Sequence, residues 1–184
     1  GYDKSAIKIL KEKKNVRLID ATNLKIKNFY EFISNFNSFM FQSSNNKIFT
    51  KSDVKIVSKR KPNKQILDNL IFAFNVCRNV KSNAIVLSKN STTVGIGSGQ
   101  PSRLDSCRIA INKMNKFQNL NKNDEIVAAS DAFFPFVDGI EKLVQSGISA
   151  VIQPSGSIRD KEIIKFANQT NTILVFSTTR HFKH

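Results

Sequence analysis

The chain has 184 residues, 40% of them hydrophobic, and a formal net charge of +15. A chain of this length buries roughly 70% of its unfolded surface, so one domain, or at most two small ones, can fold without disulfides. No apolar run reaches the roughly 18 residues of a membrane span, and Gly1-Tyr2-Asp3-Lys4 does not read as a targeting peptide. A soluble, cytoplasmic protein is expected. Cys77 and Cys107 stand apart with no metal-ligand spacing, which predicts reduced core thiols.

Residues 3–14 carry Ala6, Ile7, Ile9 and Leu10 at helical spacing. Residues 16–19 read as a short strand. Phe29, Phe32, Ile33 and Phe36 fall at i, i+3, i+4 and i+7, which predicts an amphipathic helix over 27–35 with its aromatic stripe in the core. Residues 39–41 and 48–50 suggest a hairpin around 43–46, and 54–58 a strand. After Pro62 a long helix is expected over 65–79, with Ile66, Leu67, Leu70, Ile71, Phe74 and Cys77 on one side.

The second half alternates. Strands are expected at 84–88, 93–96, 126–130, 150–153 and 173–177. Helices are expected at 103–117, 137–146 and 160–168. That alternation predicts an α/β fold, a layered α/β/α sandwich. The pair 84–88 and 93–96 is close enough to form an antiparallel hairpin, so the sheet should be mixed.

Ligands in such sheets bind beyond strand ends, and three segments there look chemical. Gly95-Ile96-Gly97-Ser98-Gly99-Gln100-Pro101-Ser102-Arg103 leaves a strand end short of side chains. Its backbone N–H groups can approach a ligand, with Ser102 as helix cap and Arg103 favouring an anion. The plainer alternative is a tight turn before a capped helix. The segment from Ser130 to Gly139 has three phenylalanines and a proline between Asp131 and Asp138. It suits a planar heterocycle, or it is core with one acid as a cap. Residues 153–160 are a third such turn, or a plain loop. The histidines, His181 and His184, lie at the end. No zinc-deaminase, HExxH or nucleophile-elbow pattern occurs, so no metal is expected. The dispersed lysines predict solvated faces. Nucleic acid, or attraction of anionic small molecules, is the lesser reading of the charge.

Taken in order, these segments resemble one family. Lys59-Arg60-Lys61-Pro62-Asn63, Val80-Lys81-Ser82-Asn83-Ala84-Ile85-Val86, the glycine segment, Ala129-Ser130-Asp131-Ala132-Phe133-Phe134-Pro135-Phe136 and Ile152-Gln153-Pro154-Ser155-Gly156-Ser157 look like the AICAR transformylase domain of bifunctional purine-biosynthesis enzymes. Residues 180–184 resemble that family's C-terminus.

The resemblance implies a cytidine-deaminase-like fold without zinc. It implies formyl transfer from 10-formyltetrahydrofolate to the 5-amino group of AICAR. Asn83 and His184 would be the catalytic residues. Arg103, Phe133, Phe134, Pro135 and Arg180 would hold the nucleotide, Arg180 at its phosphate. Leu104, Asp138 and Ser157 would line the folate site. A monovalent cation such as potassium, and a homodimer or a complementing N-terminal half, belong to the same expectation. So does a division into a flanking region, 1–56, and a C-terminal subdomain, 57–184. The family's cyclohydrolase domain and its catalytic Lys-His pair have no counterpart here, so the chain is expected to be part of a larger or split enzyme. A non-catalytic binding or dimerisation module of the same fold is the alternative. Neither nucleic acid nor membrane is expected as a partner.

Overall fold

A computed structural model describes residues 1–24, 30–116 and 124–184, which fall into two units, Gly1–Ser44 and Asn45–His184. In the first unit, helix α1 (Lys4–Lys11) starts at Asp3, whose Oδ1 accepts the Ser5 backbone N–H at 2.8 Å. An acceptor there satisfies a donor that the helix itself leaves free. No residue of α1 is buried.

Strands β1 (Tyr30–Asn35) and β2 (Ser38–Ser43) form an antiparallel hairpin. This corrects the helix expected over 27–35, of which 27–29 lie outside the described residues. Nor does the aromatic stripe enter the core: Phe32, Ile33 and Phe36 are exposed, and pairing across the turn won over helical spacing. Phe32 pairs directly with Phe41, and Tyr30 stacks on Phe41 with centroids 4.6 Å apart. Cross-strand aromatic pairs stabilise a hairpin, and short apolar runs fit either period. The hairpin expected to join 39–41 with 48–50 is corrected by the same pairing. The strand expected at 16–19 is absent: Val16, Leu18 and Ile19 are exposed and irregular.

The second unit holds the α/β body. Its described strands are β3 (Lys55–Ile56), β4 (Ile85–Lys89), β5 (Thr92–Gly97), β6 (Ile126–Ser130), β7 (Ile148–Pro154) and β8 (Ile173–Ser177). They form one mixed sheet in the order β3-β8-β7-β6-β4-β5. The pairs β6–β7 and β7–β8 are parallel, and β4 runs antiparallel to both β5 and β6. Expected strand 54–58 shrinks to two paired residues, although Val57 and Ser58 still donate to the Leu174 carbonyl.

Helix α2 (Lys64–Cys77) covers one face. Asn63 caps it, accepting the Ile66 N–H at 2.8 Å. Its buried Leu70, Phe74 and Cys77 pack on Val86, Val127, Ala129, Ile152 and Val175. Helices α3 (Arg103–Asn115), α4 (Val137–Gln145) and α5 (Asp160–Gln169) cover the other face, over Ile85, Leu87, Ala128, Val151 and Leu174. Neighbouring residues of each strand therefore serve opposite cores, and a sheet covered on both faces reads as continuous apolar runs. Each large side chain so buried contributes about 1.5–3 kcal/mol. Cys77 and Cys107 are buried free thiols. Burial pushes the Cys107 thiol up to about 12, and it also pushes that of Cys77 well above the usual thiol range.

Two glycines of the chemical-looking segment have a packing role. A Cβ on Gly95 would lie 2.2 Å from the Ala110 carbonyl oxygen, and one on Gly97 1.9 Å from that of Ser106. Their bare backbone lets α3 lie directly on β5. The expected close approach is thus made by a helix at these two positions. Gly99, at φ +68°, is open around its Cα and supplies the turn.

Candidate active site

The register brings five loops to one end of the sheet. Ile85 pairs with both Gly97 and Ser130, and Pro154 pairs with Ser177. Residues 81–84, 98–102, 131–136, 155–159 and 178–180 therefore emerge at the same edge, where α/β sheets bind ligands.

Asn83, Arg103 and Asp131 form the inner part. The Arg103 Nη2 donates to Asn83 Oδ1 at 2.9 Å and to Asp131 Oδ1 at 3.0 Å, and its Nη1 donates to the Phe133 carbonyl at 3.2 Å. Asp131 is fully buried and Arg103 nearly so. Asn83 is fixed on every side. Its Nδ2 donates to the carbonyls of Gln100 at 2.8 Å and Pro101 at 3.1 Å, and its own carbonyl accepts the Ser106 hydroxyl at 2.8 Å. Arg103 Nε and Asp131 Oδ2 are buried without a hydrogen-bond partner among the described residues. Buried polar atoms are nearly always paired, so such orphans fit a site built to meet a ligand.

The expected capping differs. Ser102 occupies the N-cap of α3 but its hydroxyl makes no capping bond, and Arg103 turns to Asp131 rather than standing free beside the helix end. Neither acid caps α4: Phe136 is its N-cap, and Asp138 Oδ1 accepts the Gly139 N–H at 2.7 Å.

A cavity of about 390 Å³ lies beside this cluster, lined by Asn83, Arg103, Leu104, Phe134, Pro135 and Asp138 among others. That volume is in the range of small-molecule sites. Six of the ten residues singled out in the sequence thus share one wall. The aromatic ledge is more divided than its composition implies. Phe134 is buried, and its ring would meet a Gly139 Cβ at 2.6 Å, so it anchors the core. One face of Phe133 is covered by the Arg180 guanidinium at 4.9 Å, and one face of Phe136 by that of Arg159 at 4.9 Å. Pro135 stays exposed at the cavity.

Ser157 sits in the adjacent loop and accepts the Arg159 N–H through its hydroxyl at 3.1 Å. Arg180 reaches that loop too, its Nη2 lying 3.3 Å from where a Gly156 Cβ would be. His184 is exposed, stacks on Phe182 at 5.6 Å and is not among the cavity-lining residues.

His181 is the residue that sequence reasoning passed over. It is fully buried, its Nδ1 is 2.8 Å from Asn45 Oδ1, and its backbone N–H donates to the Asp131 carbonyl at 3.0 Å. Burial, aided by the Arg78 charge, pushes its pKa down to about 4. Asp131 was noticed only as a flank of the ledge, and its partner lies 28 residues away. The signal for both was polarity where strand ends leave the core. Among the described residues no group of three or more His, Cys, Asp or Glu side chains is placed to hold a metal. No helix among them is long and apolar enough to cross a membrane.

Comparison with known proteins gives the family. The profile of the AICARFT/IMPCHase bienzyme matches residues 1–113, more than half of the chain. The chain is 42% identical over all 184 residues to a Chlorobium phaeobacteroides protein named bifunctional purine biosynthesis protein PurH. It is 44% identical over 183 residues to the Buchnera aphidicola protein of that name, and 43% over 184 residues to the one of Fusobacterium nucleatum. In each case it spans 35% of the relative's length. The motifs and the whole-length identity agree: the chain belongs to the AICARFT/IMPCHase bienzyme family.

Proposed function

We propose that this chain carries the substrate-holding part of an AICAR formyltransferase acting in purine biosynthesis, completed by the rest of a larger or split enzyme. The observation that carries the reading is the single cavity joining Asn83, Arg103, Leu104, Pro135 and Asp138. The reaction moves a formyl group from 10-formyltetrahydrofolate to the AICAR 5-amino group. That amine is a weak nucleophile, because the ring carboxamide withdraws its electrons. Transfer therefore depends on positioning, on a partner for the tetrahedral oxyanion and on a proton acceptor.

The hydrogen bonds narrow what Asn83 does. Both of its amide protons are committed to backbone carbonyls. Its Oδ1 accepts one bond from Arg103 and keeps a second lone pair. Asn83 therefore accepts a hydrogen bond from the AICAR amine and orients it, while Arg103 and Asp131 hold Asn83 in place. Arg180, exposed over Phe133, takes the nucleotide phosphate, a charge-assisted contact of about 1.5–3 kcal/mol. Asp138 accepts from the pterin amine, with Leu104 along the ring. The fold is read as cytidine-deaminase-like without zinc, the assembly as a dimer, and the compartment as the cytoplasm. His184 and any potassium act only once the rest of the enzyme is in place.

Calorimetry with AICAR tests the site. Binding weakened by Arg180→Ala, with folate binding kept, supports the division of roles, as does the reverse for Asp138→Ala. Absence of AICAR binding both by the chain and by the chain mixed with the remaining segment of a PurH relative would sink the reading. Release of tetrahydrofolate by the mixture alone identifies the chain as an incomplete enzyme. Binding without turnover by the mixture identifies a non-catalytic module.

A further inference from the structure

We infer that Arg159, stacked on Phe136 at the rim of the cavity, is a specificity residue that holds the glutamyl carboxylates of the folate co-substrate. The inference rests on the formyltransferase reading above and adds a residue that the motif resemblance leaves unassigned. Three observations support it.

The first is direction. Asp138 lines the cavity, so a ligand whose ring sits there must turn its own carboxylates away from that charge. Phe136 lines the same cavity, is 52% exposed, and leads from it to the Arg159 guanidinium, 4.9 Å from the ring centroid.

The second is preorganisation. Asp160 accepts the Gly156 N–H at 2.8 Å and the Ser157 N–H at 3.3 Å, and the Ser157 hydroxyl accepts the Arg159 N–H at 3.1 Å. Contact with the Phe136 ring then keeps the guanidinium near the cavity, while its exposure leaves it free to turn. Ser157 acts on the folate site by setting where Arg159 stands, which makes it a positioning residue. A cation whose backbone is placed in advance has less freedom to lose on binding.

The third is spare capacity. Arg159 gives Nη1 to Glu162, at 3.0 and 3.3 Å from its two carboxylate oxygens. A guanidinium has five N–H donors in a planar fork, so its other edge remains for a carboxylate. Arg180 borders the same loop at Gly156 and adds positive charge. Glu162 is the competing anion, and its removal should strengthen the site.

The test uses the 184-residue chain and three stable probes: 5-formyltetrahydropteroate, its monoglutamate and its triglutamate. Affinities are measured by calorimetry at low and high salt. Arg159→Ala should weaken the two glutamyl ligands about two- to fivefold at low salt, as for an exposed ion pair, and leave the pteroate unchanged. Glu162→Gln should tighten the glutamyl ligands by a similar factor, a gain that no folding defect can mimic. Arg159→Lys should keep part of the effect through its charge. Equal loss on pteroate and glutamyl ligands, or no change in either variant, would overturn the inference and leave the formyltransferase reading standing. Failure of the wild-type chain to bind any of the three would overturn both.

Discussion

The loop between β6 and α4 uses the same chemistry twice, with opposite consequences. On its inner side Arg103 is nearly buried and paired with fully buried Asp131. On its outer side Arg180 and Arg159 lie over Phe133 and Phe136, exposed or partly so. A buried charge must keep its partner, so the inner arginine is tied to the fold. An exposed one is held only by weak stacking and solvent-screened pairs, so it can turn to a ligand at little cost. Removing an inner group should therefore destabilise the fold, and removing an outer one should change what it binds.

The largest effect separates the two sides directly. Asp131→Ala strips the counter-charge from buried Arg103 and should cost about 3–5 kcal/mol of stability, measured by urea denaturation. A loss below about 1 kcal/mol would put the pair in solvent and erase the contrast.

The pH dependence comes next, because His181 shares the inner side. Its folded pKa, about 4, lies below the ordinary value of 6.5. Between these values the unfolded chain binds the proton and the folded one does not. Stability should then fall as pH drops from about 6.5 to 4, by roughly 3 kcal/mol in all, and change no further through this group below pH 4. Chemical denaturation of wild type and His181→Gln across that window should show the slope in the wild type alone. A slope shared by both would assign it elsewhere.

Gly97→Ala sharpens the packing side of the comparison. Its Cβ would press on the Ser106 carbonyl, which is helix backbone and cannot swing aside. A loss of about 1–3 kcal/mol is expected, together with a lower thermal midpoint. An unchanged midpoint would mean that α3 is free to lift from β5.

The smallest stability change belongs to the outer side. Arg180→Ala should shift stability by less than about 1 kcal/mol while weakening AICAR binding about tenfold or more. A stability loss matching that of Asp131→Ala would merge the two sides into one structural network.

Much of the α/β body was legible before the structure. The runs 84–88, 126–130 and 173–177 are each four apolar residues closed by a serine, because both faces of the sheet are covered, and β4, β6 and β8 begin or end within one residue of them. Residues 65–79 read as a helix because its apolar face repeats cleanly, and α2 follows it but ends two residues sooner, at Cys77. The first 44 residues were not legible in the same way. Phe32, Ile33 and Phe36 fit a helix by spacing and a strand by side-chain type, and the cross-strand contact with Phe41 decided between them.

The candidate site divides along the same line. That Asn83, Arg103, Asp138 and Arg180 are candidates for a site followed from motifs alone, and the first three of them line one cavity. What each does depends on neighbours distant in the chain: Arg103 on Asp131, Phe133 on Arg180, Ser157 on Arg159, His181 on Asn45. By itself the sequence determined the family, the alternation of strands and helices, and which loops carry polar residues, since these rest on local order and periodicity. Only the tertiary structure decided which arginine is buried and which is exposed, that two glycines serve a helix, and that His181 rather than His184 lies in the interior. Charge pairing, close backbone approach and burial are properties of groups brought together by the sheet register, and no local pattern encodes them.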